Sequence, residues 1–363
     1  MNAKPAGSSP ARGADATRNA GAREAMLYEK RPGARVQCDL CAHRCEIADG
    51  KRGLCRVREN RGGTLYTLVY GRTIAQHVDP IEKKPLFHFH PGTTAYSVAT
   101  PGCNFRCRWC QNWSISQAGG GRALAAGDEA PPERLVTAAR REGCRSIAYT
   151  YTEPTIFFEY AYDTMRLARA AGLANVFVTN GYMSPRMLEM AAPVLDAANV
   201  DLKAFRDETY RRGAGARLQP VLDSLKAIKR LGIWLEVTTL VIPGVNDGAS
   251  ELRDAAAFVA GELGADTPWH VSAFFPHYDM TDAPPTPLSK LEEAGAIGRA
   301  AGLRYVYLGN AAVGEDTVCH RCGGRLIGRD GFRVVENRVR PPNRCPDCGA
   351  EAAGVGLAGE AAG

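Results

Sequence analysis

No stretch of this 363-residue chain holds the roughly 18–20 consecutive apolar residues that a membrane-spanning helix requires. The opening segment, MNAKPAGSSPARGADATRNAGARE, lacks the apolar centre of a secretory signal. Its Ala, Gly, Ser and Arg content offers too little apolar surface to offset the entropy of ordering, so residues 1–25 are expected to form a disordered tail. A transit peptide would avoid acidic residues, and Asp15 and Glu24 count against one. A strong excess of either charge is also missing. The formal net charge is +6, which permits an acidic partner without demanding one. Neither membrane attachment nor nucleic-acid binding is therefore the expectation. Apolar residues make up 45% of the chain and charged residues 23%, which suffices for an ordinary globular core.

What the chain does have is 12 cysteines in an uneven distribution. Cys38, Cys41, Cys45 and Cys55 form one group, Cys103, Cys107 and Cys110 a second, and Cys319, Cys322, Cys345 and Cys348 a third. Tight groups in a long chain without a secretory signal argue for metal sites in a reducing, cytoplasmic compartment rather than for disulfides. Cys144 stands apart and reads as a small buried hydrophobe.

Between about residues 95 and 312, short apolar runs alternate with segments of helical spacing. The runs are AYSVAT (95–100), SIAYTY (146–151), NVFVT (175–179), NVDLKAF (199–205), WLEVTTLVI (234–242), VSAFF (271–275) and YVYLG (305–309). In a typical intervening segment, Leu218, Val221, Leu222, Leu225 and Ile228 fall on one helical face. Gly172, Gly232 and Gly302 stand where helix C-terminal glycines belong. Repeated strand–helix units predict an α/β fold with a parallel sheet, either doubly wound or a partial or full barrel. Chemistry then belongs at the C-terminal ends of the strands. The cysteine triad follows the first strand, Thr152-Glu153-Pro154 the second, and Thr179-Asn180-Gly181 ends the third. Asp201 and Lys203 come late in the fourth, Pro243-Gly244-Val245-Asn246-Asp247 follows the fifth, and Pro276-His277 the sixth. The polar landmarks thus share one rim.

Residues 26–94 do not repeat this rhythm and form a Cys-rich extension, with a strand pair expected around LYTLVYG (65–71). Residues 313–350 form a compact module, and 351–363, rich in Ala and Gly, are expected to be a disordered tail.

The triad lies in PGCNFRCRWCQNW, with three and then two residues between cysteines. Three thiolates at this spacing can wrap one corner of an iron–sulfur cubane while leaving its fourth iron open. An incomplete zinc or electron-transfer site is the competing reading. The pattern resembles the radical S-adenosylmethionine (SAM) superfamily, and the resemblance implies a [4Fe–4S] cluster whose open iron binds SAM. It implies that Trp109 packs near the adenine and that Glu153 holds the methionine amine. In pyruvate formate-lyase-activating enzymes a Gly-Gly-Glu stands at that point, and this chain has Tyr151-Thr152-Glu153. Asp201-Leu202-Lys203 matches their Asp-Leu-Lys, and His277 matches the histidine after their last core strand. The resemblance thus assigns cofactor contact to Trp109, Glu153, Asn180, Asp201, Lys203 and His277. One departure is Val178, where those enzymes carry an acidic residue before Thr-Asn-Gly.

The C-terminal cysteines form two Cys-x-x-Cys knuckles, and Gly323-Gly324 and Gly349 allow tight turns. They predict a structural zinc ribbon or rubredoxin-like module, with iron as the competing metal. The arginines between Cys319 and Cys345 make RNA conceivable, but a solvated surface is the plainer reading. The first group, with His43 among its four cysteines, fits zinc, a second cluster, or reduced thiols that merely pack.

VDPIEKKPLFHFHPG (78–92), CQNWSISQ (110–117), YTYTEPTIFFEY (149–160) and the knuckles extend the match over residues 26–350. Together they resemble the radical enzymes of the AmmeMemoRadiSam system. That resemblance implies a partial (βα)6-type barrel, a reductant such as flavodoxin or ferredoxin, and a link to Memo and AMMECR-type proteins. The substrate and any catalytic acid, base or relay residue stay unassigned; Lys83 and Lys84 read as exposed charge. Three functions compete: a radical enzyme acting on a protein, a radical RNA-modifying enzyme, and a non-catalytic metal scaffold or electron carrier.

Overall fold

Runs of β-branched, aromatic and small apolar residues separated by amphipathic segments favour strands and helices in alternation. The computed structural model, which describes residues 22–117, 127–311 and 313–359, has that order. The main sheet contains β1 (Ala75–Pro80), β2 (Thr94–Ala99), β3 (Ser146–Tyr149), β4 (Ala174–Thr179), β5 (Ala197–Asp201), β6 (Trp234–Val241), β7 (Trp269–Ala273) and β8 (Val306–Gly309). Helices α1 (Pro132–Arg141), α2 (Phe158–Ala170), α3 (Pro185–Ala191), α4 (Leu218–Arg230), α5 (Ala249–Phe258) and α6 (Leu288–Ala300) connect β2 through β8 in turn.

Strand order follows chain order across the whole sheet. Parallel pairing runs from β2 to β8, while β1 adds to β2 antiparallel. A doubly wound sheet reverses its strand order partway; an unreversed order keeps right-handed crossovers on one face, as in a barrel. Helix α4 buries Val221, Leu225 and Ile228, the face its spacing predicts. On another part of the sheet, Ala95, Ala148, Val176 and Ala197 form a separate cluster with Ile81, Leu86 and Phe89. Strand β1 escaped sequence reading because AQHVDP is polar and ends in proline, the character of an edge strand. No helix among the described residues is long and apolar enough to cross a membrane.

The N-terminal extension folds into small antiparallel sheets, including the pairing of Arg58–Arg61 with Thr64–Thr67. Of the expected N-terminal tail, residues 1–21 lie outside the described residues, but Arg23 and Glu24 pair with Thr67 and Tyr66. The C-terminal expectation also needs correction. Residues through 359 are packed: Ala352 and Leu357 are buried, and Val355 exchanges backbone hydrogen bonds with His88 and His90 at 2.8 Å. Alanine and leucine inserted into an existing groove need no long apolar run, so composition alone hid this contact.

This C-terminal segment packs through Ala353 on Phe87, Tyr305 and Tyr307 at the start of β8, the end of the sheet opposite the cysteine triad. There His88 is fully buried between Ala353 O and the Tyr307 hydroxyl, each 2.6 Å from a ring nitrogen. The carbonyl can only accept, so Nδ1 carries the proton and the neutral ring accepts the hydroxyl proton at Nε2. Burial holds the His88 pKa down to about 4. Because the folded pKa lies below the unfolded value, stability is fully present above about pH 6.5 and is lost as pH falls through about 4. Acid unfolding monitored against pH should therefore contain a loss of about 3 kcal/mol over this window. In His88→Gln that portion should disappear; an unchanged profile would assign it to other groups.

Candidate active site at the C-terminal rim of the sheet

Parallel register aligns the strand ends: Tyr149 pairs with Phe177, Thr179 with Val200, and Asp201 with Thr238. The loops that leave these ends therefore converge, and the loop after β2 carries Cys103, Cys107 and Cys110. Its backbone is strapped to the segment after β5 by Arg106 N–H to Ala214 O at 2.8 Å and Arg108 N–H to Gly213 O at 3.0 Å. The three thiols stand in mutual electrostatic reach. They do not gather closely enough for one ion among the described residues, where only Cys319, Cys322, Cys345 and Cys348 have ligand atoms all within 4.8 Å of one another. Three thiolates on three irons of a cubane stand farther apart than three on one ion.

Burial pushes the Cys107 thiol up to about 11 and Cys103 well above its ordinary value. Such thiols hold their protons at neutral pH unless a cation displaces them, which couples charge in this loop to metal binding. Lys203 offsets part of the cost at Cys107. Burial opposes the ammonium, yet Asp201 and Cys107 raise its pKa overall, and Nζ donates to Asp201 Oδ2 at 2.9 Å. The Lys203 carbonyl accepts from Asn246 Nδ2 at 2.8 Å, so the loop after β6 braces the end of β5.

Glu153 caps the short helical turn that follows β3 and is 1% exposed. Its Oε1 accepts from Thr155 N–H at 3.0 Å, the Thr155 hydroxyl at 2.6 Å and the Thr179 hydroxyl at 2.7 Å. Among the described residues its Oε2 accepts only Asn180 N–H, at 2.8 Å, leaving acceptor capacity for a further donor. Burial outweighs these bonds and raises the carboxyl pKa. Asn180 Nδ2 donates to Asn104 Oδ1 at 2.8 Å and lies 3.9 Å from Cys103 Sγ. Glu153 and Asn180 thus border one side of the triad, Asp201 and Lys203 another.

Trp109 is buried against the backbone of Gly213. A Cβ at 213 would stand 2.5 Å from Cζ3 of the indole. Gly213→Ala should cost about 1–3 kcal/mol by overpacking, measured by denaturant unfolding. Wild-type stability in this variant would mean that the ring moves aside freely. His277 differs from the other candidates. Its side chain is exposed, and its backbone closes a turn with Met280 at 3.1 Å in each direction. The same loop leans on the triad segment through Arg108 and Asp279, 3.0 Å apart, and through Trp113 stacked on Tyr278.

Several neighbours had no signal of their own in the sequence. Asn104 passed as loop filling, and Gly213 as one of two glycines in Gly-Ala-Gly. Lys84 corrects the exposed-charge reading. Its Nζ is buried, 2.7 Å from Asp79 Oδ2 and 4.5 Å from the ring centroid of Tyr151. Burial brings its pKa down to about 8 despite Asp79. Lys83, by contrast, is 47% exposed, as expected.

The C-terminal cysteines converge at the other end of the sheet. Cys319 and Cys348 Sγ are 3.6 Å apart, and Cys322 and Cys345 Sγ 3.7 Å. These separations match the edge of about 3.8 Å that metal–sulfur bonds of about 2.3 Å impose on a tetrahedron. This group could bind a metal. The arginines around it are largely spent inside the chain: Arg325 pairs with Glu336, Arg333 with Asp330, Arg338 with Asp347, and buried Arg329 with Glu82.

Residues 97–259 match the model of the radical SAM superfamily. An uncharacterised protein of Methanocaldococcus jannaschii is 46% identical over 335 residues, which cover 90% of this chain and 98% of that protein. A probable GTP 3′,8-cyclase of Thermococcus kodakarensis is 31% identical over 203 residues, 52% of this chain and 62% of that protein. The pyruvate formate-lyase-activating enzyme of Clostridium pasteurianum is 23% identical over 164 residues, 44% of this chain and 66% of that protein.

Proposed function

We propose, from the premise that this chain belongs to the radical SAM superfamily, that it takes a hydrogen atom from a protein substrate. Members of the superfamily are enzymes that depend on a [4Fe–4S] cluster and SAM, and the residues at the rim fit both groups. Cys103, Cys107 and Cys110 would hold the cluster. Glu153 and Asn180 would meet the methionine amine, and Asp201 with Lys203 would pair with the zwitterion. Trp109 would pack near the adenine. When bound and reduced by one electron, this pair of groups supplies a 5′-deoxyadenosyl radical that abstracts hydrogen.

The observation that carries the reading is the triad, with Cys107 buried and Cys103 and Cys110 partly exposed, bordered by Glu153, Asn180, Asp201 and Lys203 on converging strand ends. Acid groups of raised pKa beside a matched ammonium on one rim make a candidate functional site. Similarity to an activating enzyme favours a protein as hydrogen donor, and similarity to a cyclase shows how widely superfamily substrates range. Memo and AMMECR-type proteins are the first candidates, from the sequence resemblance. A flavodoxin or ferredoxin would supply the electron. We assign zinc to Cys319, Cys322, Cys345 and Cys348, with a structural role, since all four positions are filled by protein and the rim lies at the other end of the sheet.

The test is anaerobic incubation of the reduced protein with SAM and deuterated candidate partners, followed by mass spectrometry of the 5′-deoxyadenosine. Deuterium in that product from one protein partner identifies the donor. Label arriving from a small molecule or RNA instead would overturn the protein-substrate reading while leaving the radical chemistry in place.

A further inference from the structure

Cys38, Cys41, Cys45 and Cys55 all line one cavity, whose other walls are mainly aliphatic and include Ile47 and Ile156. The backbone turns there are those of sulfur ligands. The backbone N–H of His43 favours the Cys41 thiolate and that of Val57 the Cys55 thiolate, each from two residues on. Phe105 makes the same contact on Cys103 at 3.4 Å. Gly53 keeps the cavity wall close, since a Cβ there would lie 3.2 Å from Ile47 Cδ1 and 3.7 Å from Cys45 Sγ. The wall also carries an unanswered donor. Arg58 is 1% exposed and its terminal nitrogens bond Glu159 and Met26 O, but its Nε has no partner among the described residues. A buried N–H without an acceptor is costly, and inorganic or thiolate sulfur would provide one.

We propose that Cys38, Cys41, Cys45 and Cys55 hold an iron–sulfur cluster of their own, distinct from the one assigned to the triad. A single zinc ion fits less well. The C-terminal cysteines show what single-ion geometry looks like in this chain, with all four sulfurs within 4.8 Å of one another. The N-terminal four do not form such a group among the described residues, either alone or with His43; they surround a space instead. The cavity also adjoins the radical site. Asn104 lines it, next in sequence to Cys103, and its carbonyl is 2.8 Å from His43 Nε2. The Cys55 carbonyl comes within 3.2 Å of a Cβ position on Gly102.

The experiment uses the full chain with the triad removed, Cys103→Ala, Cys107→Ala and Cys110→Ala together, so that the proposed ligands stay intact. After anaerobic reconstitution with iron and sulfide, iron, acid-labile sulfide and zinc are counted per chain, and Mössbauer and EPR spectra are recorded. Iron and sulfide should remain in equal number, about four of each for a cubane or about two for a rhomb, on four cysteines. They should vanish when Cys38→Ser and Cys41→Ser are added, with circular dichroism confirming that both variants are folded. A triad variant that is folded and holds zinc but no sulfide overturns the proposal, as does one that holds no metal beyond the C-terminal ion. The wild-type chain gives a second reading that needs no variant: iron and sulfide exceeding one cubane, against one cubane or less if the proposal is wrong.

Discussion

Replacing Cys107 by alanine should reduce 5′-deoxyadenosine formation from SAM to the level of a protein-free control and remove about four irons per chain. The expectation follows from how few ligands the site has. Three thiolates already leave one iron without a protein ligand, and removing one leaves a second exposed. Cys107 is the most enclosed of the three, 7% exposed, and the one whose charge Lys203 faces. Its loss also leaves the Lys203 ammonium with Asp201 alone. The measurement is anaerobic chromatography of the reaction with dithionite as reductant, beside iron analysis of the same sample. Persistent 5′-deoxyadenosine at wild-type rate, with iron retained, would move the radical chemistry to other cysteines. Cys144→Ala, outside every cysteine group, serves as the control and should leave both readouts unchanged.

The second large effect concerns stability. Glu159→Gln should destabilise the chain by about 3–5 kcal/mol, because it leaves the Arg58 guanidinium buried without a counter-charge. In the native protein both carboxylate oxygens of Glu159 meet Arg58 Nη1, at 2.9 and 3.0 Å, and Oε1 also accepts Met26 N–H at 2.6 Å. Glu159 sits on α2 of the core and Arg58 in the extension, so one pair fastens the two. The unfolding midpoint should fall by on the order of 10 °C in a calorimetric scan. The double replacement Arg58→Met with Glu159→Leu should recover much of that loss, since the penalty lies in the uncompensated charge. A single variant as stable as wild type would mean that water reaches Arg58.

Seven of the eight strands in the main sheet were legible because their apolar runs have the length and composition of buried parallel strands. The rim could be read from the same rhythm: once the strands are placed, the residues after them must converge. Cys103, Glu153, Asn180, Asp201 and Lys203 all lie there. Local pattern could not reveal what depends on distant partners. Strand β1 is polar because its outer edge faces solvent, Lys84 is buried only because Asp79 and Tyr151 receive it, and residues 351–359 are ordered by a groove formed in part by His88 and His90. Glu236 shows the same limit. It is fully buried in β6, bonded to His270 Nε2 at 2.7 Å and to the backbone N–H of Phe87 and His88, partners scattered over more than a hundred residues. His277 marks the opposite case, a residue whose place in the sequence pattern is right but whose side chain stands exposed on a turn.

The central claim is that the triad holds a cluster with an iron open to SAM, and one spectroscopic titration addresses it directly. The reconstituted chain carrying Cys38→Ser and Cys41→Ser, which keeps the triad, is reduced anaerobically, and its EPR spectrum is recorded before and after SAM is added. Binding of the methionine amine and carboxylate to the open iron should change the g-values of the reduced [4Fe–4S] signal, and the change should saturate with SAM. A reduced cluster signal that stays the same at saturating SAM would contradict the account.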